Sequence, residues 1–237
     1  MRRRQPGSAT EFNMSFKTAN DPTEVLRNRR AFLSALGIPL ECAVFMKQSH
    51  GDHVAVITQS DLGKGAASPE SAIPDSDAMI TRDRGVFLAA LGADCALVAL
   101  CDRKAGVAGM VHAGWRGTGL GIVQKAVRRM SEEFGCEPAR VLAGIGPAIG
   151  PCCYEVGPEV VEAAKDKCGP EAVVRRGGKS YLDLRRATVH QLLAEGVRPE
   201  NVEVADVCTS CAHDRFFSYR RDGPTGGRFC GIAGWMR

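Results

Sequence analysis

Between Val86 and His112 the chain is apolar almost without a break. Three runs, Val86 to Leu91, Ala96 to Leu100 and Val107 to His112, are separated only by a Gly-Ala-Asp-Cys turn at 92–95 and a polar turn at 102–106. A strand with one wet face alternates apolar and polar residues, whereas near-continuous apolar strands are covered on both faces. These runs therefore predict a sheet held between other layers. The longest stretch, Val86 to Cys101, is broken by Gly92 and Asp94 and is too short for the roughly 20 residues that cross a bilayer, so no membrane span is expected.

The period then changes. Leu120, Val123, Val127, Met130 and Phe134 step by 3, 4, 3 and 4 from Thr118 to a stop at Gly135, which predicts a helix with one buried stripe. Another helix is expected from Pro22 to Gly37, with Asp21 as N-cap and an apolar set of Val25, Leu26, Phe32, Leu33 and Leu36. Further helices are expected after Gly157–Pro158 and from Leu184 to Glu195 behind Asp183. Strands are read at Ala43 to Lys47, Val54 to Thr58, Val141 to Ile145, Val202 to Ala205 and Phe229 to Trp235, with an exposed loop from Leu62 to Pro74. No repeat or linker divides the chain, so one mixed α and β domain over 21–237 is expected, preceded by a frayed or extended arm over 1–20.

Ten cysteines in 237 residues is about twice ordinary usage yet below a disulfide scaffold. The N-terminal Arg2, Arg3 and Arg4 lead into Gln5, Pro6, Gly7 and Ser8 rather than an apolar segment, so no export signal is read and a cytoplasmic location with reduced thiols is expected. Those three arginines also account for most of the formal charge of +4, and aromatics are 6% of the chain. Neither favours a nucleic-acid partner.

His50, Cys95 and His112 each stand at the edge of an apolar run beside a Gly or Asp turn. Two imidazoles and a thiolate suit zinc and leave a fourth position open, as catalytic sites do. The plain alternative is two turn histidines and a buried thiol. His53 is read as a surface residue, since positions three apart on a strand face opposite ways. Asp94 is a costly carboxylate inside an apolar run, either a partner or proton acceptor for the site or a turn residue bound to backbone. Arg116, near a glycine-rich helix start, is a candidate anion ligand. Arg220, Arg221 and Arg228, set among Phe216, Phe217 and Tyr219, form either an anion and ring-binding surface or a solvated loop. Cys208 and Cys211 form a CxxC pair followed by His213, open to structural zinc, redox or unmetallated readings. Cys152 and Cys153 are adjacent and not spaced as a zinc knuckle.

The stretches QSHG (48–51), GADC (92–95), HAGWRGT (112–118), GPAIGPCCYEVG (146–157) and FFSYRRDG with the following TGGR (216–228) occur in order. Together they resemble the YfiH-type, laccase-domain or polyphenol oxidase family from about Asn13 to the C-terminus. Gly92 stands where relatives often have Thr, Ala96 and Leu97 replace a residue followed by Pro, and the arm is shorter than the family's.

The resemblance implies an α+β fold of packed mixed β-sheets flanked by helices in α/β/β/α layers, with zinc held by His50, Cys95 and His112. It also implies a purine nucleoside enzyme: phosphorolysis of adenosine, guanosine, inosine or methylthioadenosine, and hydrolytic deamination of adenosine. Phosphate and nucleoside would then be the partners, with Arg116, Arg220 and Arg221 on the anion and Cys95, His50, His112 and Asp94 at the chemistry. Two other readings fit the same residues. One is a hydrolase editing cell-wall precursors with Cys95 as nucleophile. The other is copper-dependent phenol oxidation, since copper competes well for a His2Cys set. Five histidines are too few for a multicopper array that also spends His53, His190 and His213 elsewhere.

Overall fold

A computed structural model describes residues 12–236. The first helix, α1 (Pro22–Ala35), opens as expected: the Asp21 side chain accepts from the Thr23 backbone N–H, and Pro22 fills a position whose own N–H would be unpaired. After β1 (Ala43–Phe45) and β2 (Val54–Val56) comes β3 (Ala78–Thr81). The apolar stretch then folds as β4 (Phe87–Gly92), β5 (Ala96–Asp102) and β6 (Val107–Ala113).

The helical period after Thr118 does not build one continuous helix. Gly121 adopts the left-handed conformation at φ 79° and divides α2 (Trp115–Gly119) from α3 (Ile122–Phe134). Leu120 is left exposed at the break. Gly135, at φ 67°, ends α3. The rest of the chain supplies β7 (Leu142–Ile145), β8 (Glu155–Val156), α4 (Pro158–Ala164), β9 (Val173–Arg176), β10 (Lys179–Leu182), α5 (Leu184–Ala194), β11 (Val202–Val204), α6 (Tyr219–Asp222) and β12 (Phe229–Gly234).

The strands form a six-stranded sheet in the order β11-β7-β5-β6-β3-β2, a three-stranded sheet β1-β4-β12 and a small antiparallel sheet β8-β10-β9. Both larger sheets mix parallel and antiparallel pairs. Alternation along the apolar strands creates the layers. On β4, Phe87 and Ala89 pack with Leu33 of α1, whereas Leu88 and Ala90 pack with Leu97 and Met110 of the six-stranded sheet. On β5, Ala96, Val98 and Leu100 turn the other way, against Ile122, Val123, Val127 and Met130 of α3 and Leu184 and Leu192 of α5. The domain is thus a single α+β unit layered α/β/β/α, and the three apolar strands are covered on both faces. Truncating Met130 or Leu192, each fully buried, costs about 2–5 kcal/mol by transfer and cavity effects.

Two expected loops prove to be built in. Within residues 12–20 of the arm, Met14 is buried and its N–H donates to the Arg228 carbonyl, while the Arg228 N–H donates to Asn13 Oδ1. Arg29 of α1 is buried beneath them, donating to the carbonyls of Met14, Gly65 and Ala66. Residues 1–11 of the expected arm lie outside the described residues. The segment 62–74 is likewise not wholly exposed, since Ala66 and Ile73 are buried.

Candidate functional site

His50, Cys95 and His112 come together from three separate connections. His50 lies on the loop from β1 to β2, Cys95 in the turn from β4 to β5, and His112 at the end of β6, on the face that Met110 turns toward the three-stranded sheet. Their ligand atoms lie within 4.8 Å of one another, and the two imidazole rings meet edge to face with centroids 4.9 Å apart. His112 is buried and His50 exposed, so the cluster closes toward the protein and opens toward solvent.

Asp77, fully buried just before β3, organises this corner. One carboxylate oxygen accepts from His112 Nδ1–H at 2.8 Å. The other accepts from the Ser49 N–H at 3.0 Å, the Ser49 hydroxyl at 3.1 Å and the Gly51 N–H at 2.8 Å. A single carboxylate therefore sets the tautomer of one ligand, leaving His112 Nε2 for the cluster, and ties down the loop that carries the other. Gln48 completes the anchoring by exchanging two hydrogen bonds with the Leu91 backbone of β4. Held at both ends, His50 sits at a φ of 61°, a conformation that costs a non-glycine residue about 1–3 kcal/mol.

The electrostatics follow from the contacts. Burial opposes ionisation of the Cys95 thiol, but the positive charge and hydrogen bonds of His112 and His50 outweigh it and bring the thiol down to about 6. Burial likewise disfavours the His112 cation, yet Cys95 and Asp77 raise its pKa to about 9. Asp77 stays below its ordinary range despite burial, through the hydrogen bond and charge of His112 and the Gly51 and Ser49 N–H groups.

The donor set fits a metal. Two imidazoles and one thiolate match a borderline divalent ion such as zinc, with one position left for a ligand. Space is reserved for them as well. A Cβ on Gly114 would stand 3.0 Å from Cys95 Sγ and 3.1 Å from His50 Cδ2, so any larger residue between β6 and α2 presses on the cluster. The three further histidines do not extend the set: among the described residues, only His50 and His112 occur in a group of metal-type ligands close enough to share an ion. His53 is exposed, its Nδ1 3.1 Å from Ser76 Oγ.

Asp94, buried at a φ of 104°, accepts from the Thr209 hydroxyl at 2.6 Å and from the Arg220 N–H at 2.7 Å. Both oxygens are thus engaged in anchoring the C-terminal loop beside Cys95. Arg221 is a correction to the sequence reading. Its guanidinium donates to both Asp222 oxygens and to the carbonyls of Thr209, Ser210 and Phe216, which uses its five N–H groups and leaves none for a bound anion.

Arg220 is different. One of its N–H groups reaches the Glu155 carbonyl at 2.9 Å, and its guanidinium lies 5.1 Å from the Tyr154 ring. Arg116 is stacked over Trp115 at 4.2 Å. Tyr154 marks where these groups converge: burial raises its phenol pKa, the charges of Cys95 and Asp94 add to the rise, and those of Arg220 and Arg116 oppose it. The pKa of Arg228 is lowered by burial and partly restored by the charges of Cys95 and Asp94. A groove of about 630 Å³ lined by Cys168, Arg185, Arg186 and His190 opens elsewhere and shares no residue with the cluster.

Sequence reasoning missed Asp77 and Tyr154. Asp77 carries the same signal that drew attention to Asp94, a carboxylate directly ahead of an apolar run, but Ala78–Thr81 is too short to read as a strand.

Fold and site together define a layered α+β domain with an open His-Cys-His corner at the end of its main sheet. The chain belongs to the multi-copper polyphenol oxidoreductase laccase family, whose pattern matches residues 3–236. It is 38% identical to a purine nucleoside phosphorylase, YlmD, of Geobacillus stearothermophilus over 96% of this chain and 85% of the relative. It is 37% identical to adenosine deaminase RL5 of an unknown prokaryotic organism over 93% and 86%. The crystal structure of the Geobacillus stearothermophilus protein superposes with a TM-score of 0.92 over 95% of this chain and 85% of that one. The Bacillus licheniformis hypothetical protein YfiH does so at 0.92 and 31% identity, over 98% and 88%. Among the described residues, no helix is long and apolar enough to cross a membrane.

Proposed function

We propose that the protein is a zinc-dependent purine nucleoside enzyme whose principal reaction is phosphorolysis. The observation that carries the reading is the His50–Cys95–His112 corner, oriented by Asp77 and bordered by cationic groups, in a chain 38% identical to a purine nucleoside phosphorylase. A metal bound there would supply Lewis acidity toward substrate or water.

The chain's own residues do the rest. Phosphate is an anion with three strong acceptor oxygens, and Arg220, with most of its N–H groups unspent, and Arg116 are suited to hold it in line with the ribose. A phosphate oxygen then bonds to C1′ as the C1′–N9 bond breaks. The electron pair leaves with the purine, which takes up the proton that the attacking phosphate carried, giving ribose 1-phosphate and free base. Tyr154 presents a flat, half-buried ring next to the Arg220 guanidinium, suited to a purine face. Asp94 acts by position, holding Thr209 and Arg220 next to the cluster. Deamination of adenosine at the same corner is the second activity, favoured by the resemblance to adenosine deaminase RL5.

The test is a product profile. Zinc-replete protein is incubated with adenosine, guanosine, inosine or methylthioadenosine, with and without phosphate, and compared with Cys95→Ser. Free base that depends on phosphate, inosine from adenosine without it, and loss of both in the variant are expected. No product from any of the four nucleosides would overturn the assignment. Phenol oxidation dependent on added copper would favour the reading in the family's name. Acyl transfer from cell-wall precursors by metal-free protein would favour a Cys95 nucleophile.

A further inference from the structure

Four cysteines outside the candidate site converge on a second point. Cys152 and Cys153 lie in the turn between β7 and β8, and Cys208 and Cys211 on the loop between β11 and α6. Their Sγ atoms all lie within 4.8 Å of one another, with Cys152 and Cys153 3.6 and 3.4 Å from Cys211. Zinc–sulfur bonds of about 2.3 Å at tetrahedral angles place sulfurs roughly 3.8 Å apart, close to the two separations from Cys211 and inside the 4.8 Å that bounds all four. A disulfide of about 2.05 Å would join two of them and strand the others. An iron–sulfur cluster binds its thiolates to different irons and so spreads them wider.

The surrounding backbone is shaped to the sulfurs. The Gly150 N–H donates to Cys208 Sγ at 3.3 Å. A Cβ on Gly150 would stand 3.2 Å from Cys152 Sγ and 3.4 Å from Cys208 Cβ, so the turn closes tightly on the cluster there. Arg176 donates to the carbonyls of Pro151 and Cys152, and the Arg185 guanidinium borders Gly150. Four thiolates on a divalent ion carry a net charge of minus two, part of which Arg176 offsets, Arg185 being paired with Asp206. The adjacency of Cys152 and Cys153, read from the sequence as unlike a zinc knuckle, is no obstacle once tertiary structure folds the turn.

We infer that Cys152, Cys153, Cys208 and Cys211 form a closed structural zinc site that fastens the 150–153 turn to the 206–212 loop. Four protein ligands leave no open position, so the ion holds structure and does no chemistry. What it holds is the margin of the candidate site. Thr209, between two of the ligands, donates to Asp94 beside Cys95, and the Thr209 and Ser210 carbonyls take up Arg221.

The experiment is metal counting by inductively coupled plasma mass spectrometry on full-length wild type, Cys95→Ser and the Cys208→Ser/Cys211→Ser double variant. Two zinc ions per chain in wild type and one in Cys95→Ser are expected. In zinc-replete Cys95→Ser, iodoacetamide should spare the four cysteines until a chelator strips the ion, a measurement that holds even where the double variant fails to fold. Zinc-free Cys95→Ser, a disulfide among the four in peptide maps, free alkylation of all four in zinc-loaded protein, or a visible iron–thiolate band would each overturn the inference. One zinc retained in Cys95→Ser with none lost from wild type would sink the catalytic metal site instead and leave this one standing.

Discussion

Asp77→Asn isolates the group on which the candidate site turns, because it keeps the shape and removes only the charge and the acceptor symmetry. The native carboxylate accepts one bond from His112 and three from Ser49 and Gly51, and it is fully buried. An asparagine has one oxygen for two sides. With its oxygen toward His112, its NH2 faces the Ser49 and Gly51 N–H groups and orphans them. With the oxygen turned the other way, His112 must accept at Nδ1 and carry its proton on Nε2, where the metal-facing lone pair should be. Hydrogen bonds to a charged group are worth about 1.5–3 kcal/mol each, and relief of the buried charge returns part of the loss. A net destabilisation of about 3 kcal/mol is expected, equivalent to about 6–12 °C in Tm for a chain of this size. Zinc affinity at the His50–Cys95–His112 site should fall roughly 10–100-fold. Thermal melts with and without chelator, and zinc competition against a chromogenic chelator in a background where the four-cysteine site is counted separately, read both effects. A melting point within about 2 °C of wild type together with unchanged zinc affinity would refute the role given to Asp77.

Gly114→Ala should spare the fold, since its backbone is extended at φ −80° and ψ 170°, but should cut zinc content at the candidate corner by pressing on Cys95 and His50; intact metal binding and activity would contradict this. Arg220→Ala should raise KM for phosphate with little change in Tm, whereas Arg221→Ala should lower Tm by destroying the bonds to three carbonyls and Asp222, with stability reduced by about 2 kcal/mol or more. The reverse pattern in kinetics and melts would show the two arginines exchanged in role. Burial raises the thiols of Cys168 and Cys230 to about 11 and about 12. The unfolded chain therefore sheds these protons first, and the stability they contribute is full below the ordinary thiol range and declines as pH rises from there toward those values. Melts across the alkaline range should show a steeper decline in wild type than in Cys168→Ala/Cys230→Ala, and parallel curves would count against it.

Local pattern determined much of this protein. The apolar runs on either side of Cys95 fold as strands buried on both faces, because only layers above and below can satisfy such residues. Asp21 and Asp183 cap their helices through side-chain bonds to the next residues' N–H groups, an interaction contained within a few positions. Motifs in order identified the family and singled out His50, Cys95 and His112, since glycines and ligands recur wherever the same corner is built. Relations between distant segments were decided by tertiary structure alone. Gly121 breaks the helix that spacing drew as continuous, and Asp77 becomes an organiser only when β3 pairs with β6 and brings it to His112. Arg220 and Arg221 are neighbours of one residue type, yet one reaches the Glu155 carbonyl and the Tyr154 ring while the other is consumed by its own loop. The same holds for the four clustered cysteines, two pairs that lie more than fifty positions apart in the chain. Sequence spacing carries the period of a helix or strand; it carries no record of which loops the packed sheets bring within bonding distance.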